Sequence, residues 1–281
     1  MRYGICPLSV IPIRSNSSDT SEMVSQLLFG ETVEILEKKG SWTKVRCIWD
    51  NYIGWADTKQ IKLITPSEFE EYQEKFAYTL DLIQGAMTNG HYIPITMGAT
   101  LPNYDGVNFN MDGNSYTYSG QAFFPNDIQP NSELLIKIAR RYLYAPYLWG
   151  GRSPLGIDCS GFTQVIFKMI GIKLPRDSKD QVEKGELVDF VEQGQAGDLA
   201  FFENRKGKIT HVGILLEEGQ IIHASGQVRI DKIDHFGIFN EDRKKYTHKL
   251  RVVKRILPPQ PKISKKEKTD ESEITNQIEI F

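Results

Sequence analysis

The residues of this chain that can do covalent chemistry are its cysteines and histidines, and one cysteine stands in unusual surroundings. Cys159 lies in GGRSPLGIDCSGF (150–162), after a glycine-rich stretch and an aspartate, at the head of a segment with an apolar helical face. A thiol attacks only as thiolate, and an unperturbed cysteine is mostly protonated at neutral pH. A helix N-terminus presents unpaired N–H groups and partial positive charge, both of which favour the anion. Ser160 and Gly161 leave room for a substrate, and the first-turn amides are natural donors for an oxyanion. These features point to a thiolate held ready to attack a carbonyl.

Such a nucleophile needs a base. The histidines are His91, His211, His223, His235 and His248. His211 opens the strand-like run HVGILL and His223 closes IIHAS, with Glu218-Gly219 between them as a turn. If the two runs pair, the imidazoles come together, one as base and the other orienting it. The plainer alternative is a buried structural cysteine beside two packing histidines. Three such residues, each at the edge of an element and flanked by small residues, favour the nucleophile. Asp198 in GDLAFF reads as a turn residue before a strand and stays outside the catalytic set.

These residues must be positioned by a larger frame. Residues 1–64 read as short strands with turns at Gly30-Glu31, Lys39-Gly40 and Asp50-Asn51, the pattern of a small β-barrel. Residues 65–125 hold one short helix, 66–77, with Ser67 and Glu70 as a capping box. The rest of that stretch forms a second SH3-like module or a structured linker. Residues 126–257 give helices over 131–143 and 159–170, then strands over 198–202, 211–216, 220–224 and 250–256, which is α+β order. Residues 258–281 are proline-rich and then charged, too polar to fold alone. With 34 Lys+Arg against 36 Asp+Glu, the net charge of −2 gives no basic surface for nucleic acid. Cys6, Cys47 and Cys159 form no CxxC pair, which argues against zinc and a disulfide framework. MRYGICPLSVIPIRSNSS is broken by Pro7 and by Pro12-Ile13-Arg14, so no export signal is expected. The address expected is cytoplasmic, or periplasmic if a leader has been removed.

YLWGGRSPLGIDCSGF, LPRDSKDQ, GDLAFF, ITHVGILL and IIHASG, in that order, resemble the NlpC-type cell-wall peptidases, a papain-like cysteine peptidase family. LLFGETVEILEKKGSWTKVR followed by YIGWA resembles the bacterial SH3-like domain. The combination is similar to the dipeptidyl-peptidase VI group, which cuts the γ-D-glutamyl–L-diamino acid bond of murein peptides carrying a free N-terminal L-alanine. The resemblance implies a papain-like α+β domain of helices packed on an antiparallel sheet, behind one or two SH3-like barrels. It implies Cys159 as nucleophile, His211 as base and His223 as orienter. It further implies that Asp177, Glu22 and Tyr52 hold the substrate amine, while Tyr147, Trp149, Asp158, Ser160 and Ser178 line the rest of the pocket. An ammonium withdrawn from water needs carboxylates beside it, which makes that grouping physically reasonable. The expected partner is a murein peptide, with no cofactor, metal, nucleic acid or membrane, and the chain is expected to be a monomer. Two alternatives stay open: an N-acetylmuramoyl-L-alanine amidase or transacylase of the same fold, and a non-catalytic wall-binding protein.

Overall fold

The computed structural model describes residues 1–259. Strands and turns in the first 64 residues follow the turn chemistry. Tyr3–Ile5, Val10–Arg14, Met23–Leu28, Thr32–Lys39, Trp42–Cys47, Ile53–Asp57 and Lys62–Ile64 form one antiparallel sheet. Burial alternates along Val10–Arg14 and Trp42–Cys47, as a sheet with one face inward requires. Ile11, Ile13, Leu27, Val33, Val45 and Ala56 form its core together with Cys6 and Cys47. Burial pushes both of those thiols well above the ordinary cysteine value, so they behave as packing groups.

Helix α1, Pro66–Glu74, leads into the second unit. Its capping box lies two residues earlier than the sequence suggests: Thr65 and Glu68 reciprocally satisfy each other's backbone N–H groups, and Pro66 takes the first helical position. Beyond it lie a four-stranded sheet, ordered His91–Thr96, Ile83–Thr88, Asn114–Tyr118, Asn108–Met111, and a three-stranded sheet, ordered Thr100–Pro102, Phe76–Thr79, Ala122–Phe123. Ala86, Ile95, Leu101, Phe109 and Tyr116 form the core of this unit, and Phe29 enters it from the first.

The third unit carries α2 (Ser132–Arg141), α3 (Cys159–Lys168) and the single turn α4 (Ser178–Gln181). Its sheet runs Glu186–Val188, Lys245–Arg255, Leu199–Glu203, Ile209–Leu215, Gln220–Ser225, Gln227–Asp234, Gly237–Asn240. Gly237–Asn240 also pairs with Lys245–Arg255, so six strands close on themselves. The expected antiparallel sheet with helices packed on it is met in part: the sheet closes, and α2 and α3 cover only one side of it. Alternation separates the two faces. Leu199, Phe201, Val212, Ile214 and Ile222 pack with the helices. Ala200, Phe202, Leu215, Ile221, Ile233 and Ile238 fill the inside of the closed sheet.

A buried ion cluster joins all three units. Glu31 accepts from Arg152 Nη1 and Nη2 at 2.7 and 3.0 Å and from Lys168 Nζ at 2.8 Å, and Lys168 also donates to the Gly98 carbonyl. Burial alone raises the Glu31 carboxyl, but Arg152 and Lys168 overcome it and bring it to about 2. Removing one member of such a cluster leaves charge uncompensated in a dry interior. Glu31→Ala is therefore expected to cost about 3–5 kcal/mol of stability, read by urea unfolding.

Candidate active site

Helix α3 begins at Cys159. Asp158 is its N-cap, accepting from the Gly161 N–H at 2.7 Å. Gly161 is forced by contact: a Cβ there would lie 2.2 Å from the Gly151 carbonyl oxygen. Arg176 clamps Asp158 from the other side, with Nη1–Oδ1 at 3.0 Å and Nη2–Oδ2 at 2.6 Å, and also donates to Ser160 Oγ at 2.9 Å. The Gly150 N–H takes the remaining direction at Asp158 Oδ2. Both side chains are buried and bonded within this internal network.

Sequence alternation then places the imidazoles. Residues i and i+2 of a strand share a face, so His211 lies on the side of Leu215, His223 on that of Ile221, and Asp231 on that of Ile233. That is the inside of the closed sheet, near one end. His211 Nε2 and His223 Nδ1 are 2.9 Å apart, and His223 Nε2 is 3.0 Å from Asp231 Oδ2. Arg229 holds both Asp231 oxygens at 2.8 Å. His248 stacks on His211 with ring centroids 4.1 Å apart. The backbone N–H groups of Val212, the residue directly after His211, and of Ser160 act to favour a negative Cys159 sulfur. A cavity of about 310 Å³ opens beside His211, lined by Tyr147, Thr210, Ala224, Ser225, Gly226 and His248.

The electrostatics favour neutral partners. Burial pushes the Cys159 thiol up to about 12, and Asp158 adds to the effect, against the Val212 and Ser160 amides and the Arg176 guanidinium. Desolvation thus opposes the thiolate that the helix N-terminus favours. Burial likewise drives His211 well below the ordinary value, His223 and His248 acting in the same direction. Burial therefore acts in the same sense on both groups, towards a neutral thiol and a neutral imidazole.

The same burial has a cost in acid. His211 and His223 both lie below the usual 6.5, and burial with His223 nearby brings His248 to about 4. Below pH 6.5 the unfolded chain binds protons there that the folded chain refuses, so this stability is complete above 6.5 and lost as pH falls. His248 alone is expected to remove about 2 kcal/mol at pH 5. Urea unfolding at pH 7.5 and pH 5 measures the loss.

The first unit reaches into this region along the strand Met23–Leu28. Arg152 N–H donates to Gln26 Oε1 at 2.7 Å and Arg176 Nε to Ser25 Oγ at 3.2 Å. Gly150, at φ +77°, brings its backbone so close that a Cβ would meet the Met23 oxygen at 2.4 Å. Exposed Glu22, just before that strand, accepts from Trp149 Nε1 at 2.6 Å. The Asp50-Asn51 turn is tied to the nucleophile helix by Gln164 Nε2 on Asp50 Oδ2 at 2.9 Å, which carries Tyr52 towards α4. Burial pushes the Tyr52 phenol up to about 12, and Asp177, Asp50 and Glu22 add to it. Half-buried Asp177 begins α4 without a side-chain capping bond, and burial pushes its carboxyl above the usual range. Burial also raises the Tyr147 phenol to about 12, with Cys159 and Asp158 contributing. Ser178 is the first residue of α4, beside Asp177. Sequence reasoning missed Asp231 and His248, because the strand that carries Asp231 was not recognised and the run Leu250–Ile256 was begun after His248.

The sequence pattern of the NlpC/P60 family matches residues 144–249, and that of the bacterial dipeptidyl-peptidase SH3 domain matches residues 13–61. A γ-D-glutamyl-L-lysine dipeptidyl-peptidase of Bacillus cereus is 31% identical over 237 residues, covering 74% of this chain and 68% of that protein. The chain belongs to the NlpC/P60 family. It is a cysteine peptidase of that family with an N-terminal SH3-like domain. The Bacillus subtilis protein of the same name is also 31% identical, over 79% of this chain and 75% of its own length. A crystal structure of an NlpC/P60 family protein from Bacillus cereus covers 91% of this chain and 100% of that one, with a TM-score of 0.79 and 24% identity, and shows the same fold. In NlpC/P60 terms, the closed six-stranded sheet with α3 against it is the peptidase unit.

Proposed function

We propose that this peptidase hydrolyses the γ-D-glutamyl–L-diamino acid bond of murein stem peptides that carry a free N-terminal L-alanine. What supports the reading is that the charges of Asp177 and Glu22, from two different units, both bear on the Tyr52 phenol, while Gln164 of the Cys159 helix holds the Asp50-Asn51 turn just before it. A substrate ammonium there gains two carboxylates and a phenol oxygen. A peptide still acylated at that nitrogen brings no charge to half-buried Asp177, and a polar group left without its partner in such a site discriminates. The names of the Bacillus relatives support the same bond.

In this reading Cys159 attacks the γ-carbonyl as His211 takes the thiol proton. The oxyanion is met by first-turn amides of α3, including that of Cys159. His211 then returns the proton to the departing diamino acid amine, and His223 keeps the base oriented. Water activated by His211 releases L-alanyl-γ-D-glutamate from the sulfur, with no metal or organic cofactor. Tyr147, Trp149 and Ser178 border the acyl side, where the backbone of Asp158 and Ser160 adds polar contacts. An enzyme that needs the free amine acts after the sugar has been removed, which places it in recycling or turnover of released peptides. The cytoplasmic address expected from the sequence suits recycling. Mass spectrometry of products from L-Ala-γ-D-Glu-L-diamino acid tests the proposal. The dipeptide L-Ala-γ-D-Glu plus free diamino acid is expected. An intact tripeptide, with cleavage of an N-acetylmuramoyl peptide after the sugar acid, points to the amidase instead.

A further inference from the structure

Beyond the nucleophile, base and orienter, the barrel interior holds a carboxylate that decides where the protons sit. We propose that Asp231 is a positioning residue that fixes, through His223, the tautomer in which His211 presents Nδ1 as its unprotonated nitrogen. This role of Asp231 rests on that of His211 as base, and on the spacing of the three side chains.

An ionised carboxylate only accepts hydrogen bonds. Asp231 is kept ionised: burial raises its carboxyl, but hydrogen bonds from His223 and Arg229 bring it below the usual range. Its Oδ2 lies 3.0 Å from His223 Nε2, so that nitrogen carries the hydrogen. A neutral imidazole has one N–H, so His223 Nδ1 is an acceptor. That acceptor lies 2.9 Å from His211 Nε2, which therefore carries the hydrogen of its own ring. His211 Nδ1 is left with a lone pair. Both histidines are neutral at rest, because burial drives each below the ordinary value.

When the Cys159 proton arrives on His211 Nδ1, the ring becomes an imidazolium that already donates from Nε2 into the chain. No bond in the chain need turn over, and Asp231 stays ionised throughout. Its negative charge then faces the new positive charge across one imidazole. Arg229, also held by Asp242 at 2.8 Å, fixes the carboxylate's orientation from the outer side. Without the carboxylate, His223 is free to protonate Nδ1 and donate to His211 Nε2, which puts the hydrogen of His211 on Nδ1, the wrong nitrogen.

The experiment combines nitrogen NMR of the histidine rings with kinetics of Asp231→Asn and Asp231→Glu. In the parent at pH 7.5, His211 is expected to be protonated at Nε2 and bare at Nδ1. Asp231→Asn is expected to lower kcat about 10–100-fold with KM little changed, to slow iodoacetamide alkylation of Cys159 about tenfold, and to shift His211 towards Nδ1–H. Asp231→Glu is expected to restore part of both rates. A parent enzyme with His211 protonated at Nδ1 overturns the proposal, and that measurement needs no variant to fold. So does a folded Asp231→Asn enzyme that alkylates and turns over like the parent. Alkylation involves no peptide, so an error in the assigned substrate leaves this outcome readable and is seen separately in the product analysis.

Discussion

Cys159→Ala is expected to lower kcat/KM on the L-Ala-γ-D-Glu-diamino acid tripeptide by about 10⁴-fold or more, leaving the fold in place. The covalent step has no substitute. Cys6 and Cys47 are buried in the core of the first unit, where desolvation keeps their thiols protonated, and no hydroxyl in the α3 first turn is free to take over. Ser160 Oγ is held between Arg176 and Asp158. The side chain removed is small, and the N-cap, the Arg176–Asp158 pair and the Gly161 contact all survive it. The melting temperature should therefore stay within a few degrees of the parent, and the comparison of initial rates with the thermal melt separates lost chemistry from lost structure. A Cys159→Ala protein with parental turnover removes the nucleophile assignment.

The next largest effect is expected at Asp177. Asp177→Asn keeps shape and removes charge, so a bound ammonium loses one of its two carboxylates in a half-buried site. Losing one partner of such a pair costs a few kcal/mol, or about 100-fold in kcat/KM. The ammonium is bound in ground state and transition state alike, so the loss falls mainly on KM. The side chain makes no capping bond in α4 and one long contact with exposed Lys179 at 3.6 Å. Stability is therefore expected to change little, and a variant with parental KM contradicts the amine clamp.

Local chemistry made parts of this site readable. Gly before the first strands, the Asp-Cys-Ser-Gly helix start and the Glu218-Gly219 turn each name their conformation through residue type. The strand pairing Ile214↔Ile222 around that turn follows from them. Other features depend on distant partners. Asp158 and Ser160 flank the nucleophile in sequence, while Arg176, eighteen and sixteen residues on, bonds both side chains. Burial of the sulfur, which opposes its ionisation, is a property of packing and has no local sign. Closure of the sheet rests on Gly237–Asn240 meeting Lys245–Arg255, and short strands of mixed polarity such as GIFN announce it poorly. Asp231 had a readable signal: Gly226, at φ +76°, turns IIHAS into QVRID, and alternation then puts His223 and Asp231 on one face.

The recognition of a free amine by carboxylates from two units is the claim on which substrate, role and specificity all depend. It is tested most directly by the ratio of kcat/KM for the free tripeptide to that for its N-acetylated copy, measured on the parent enzyme. The free peptide is expected to be preferred by at least about 100-fold, since acetylation removes the ammonium and leaves half-buried Asp177 without that partner. Equal kcat/KM for the two peptides would contradict it.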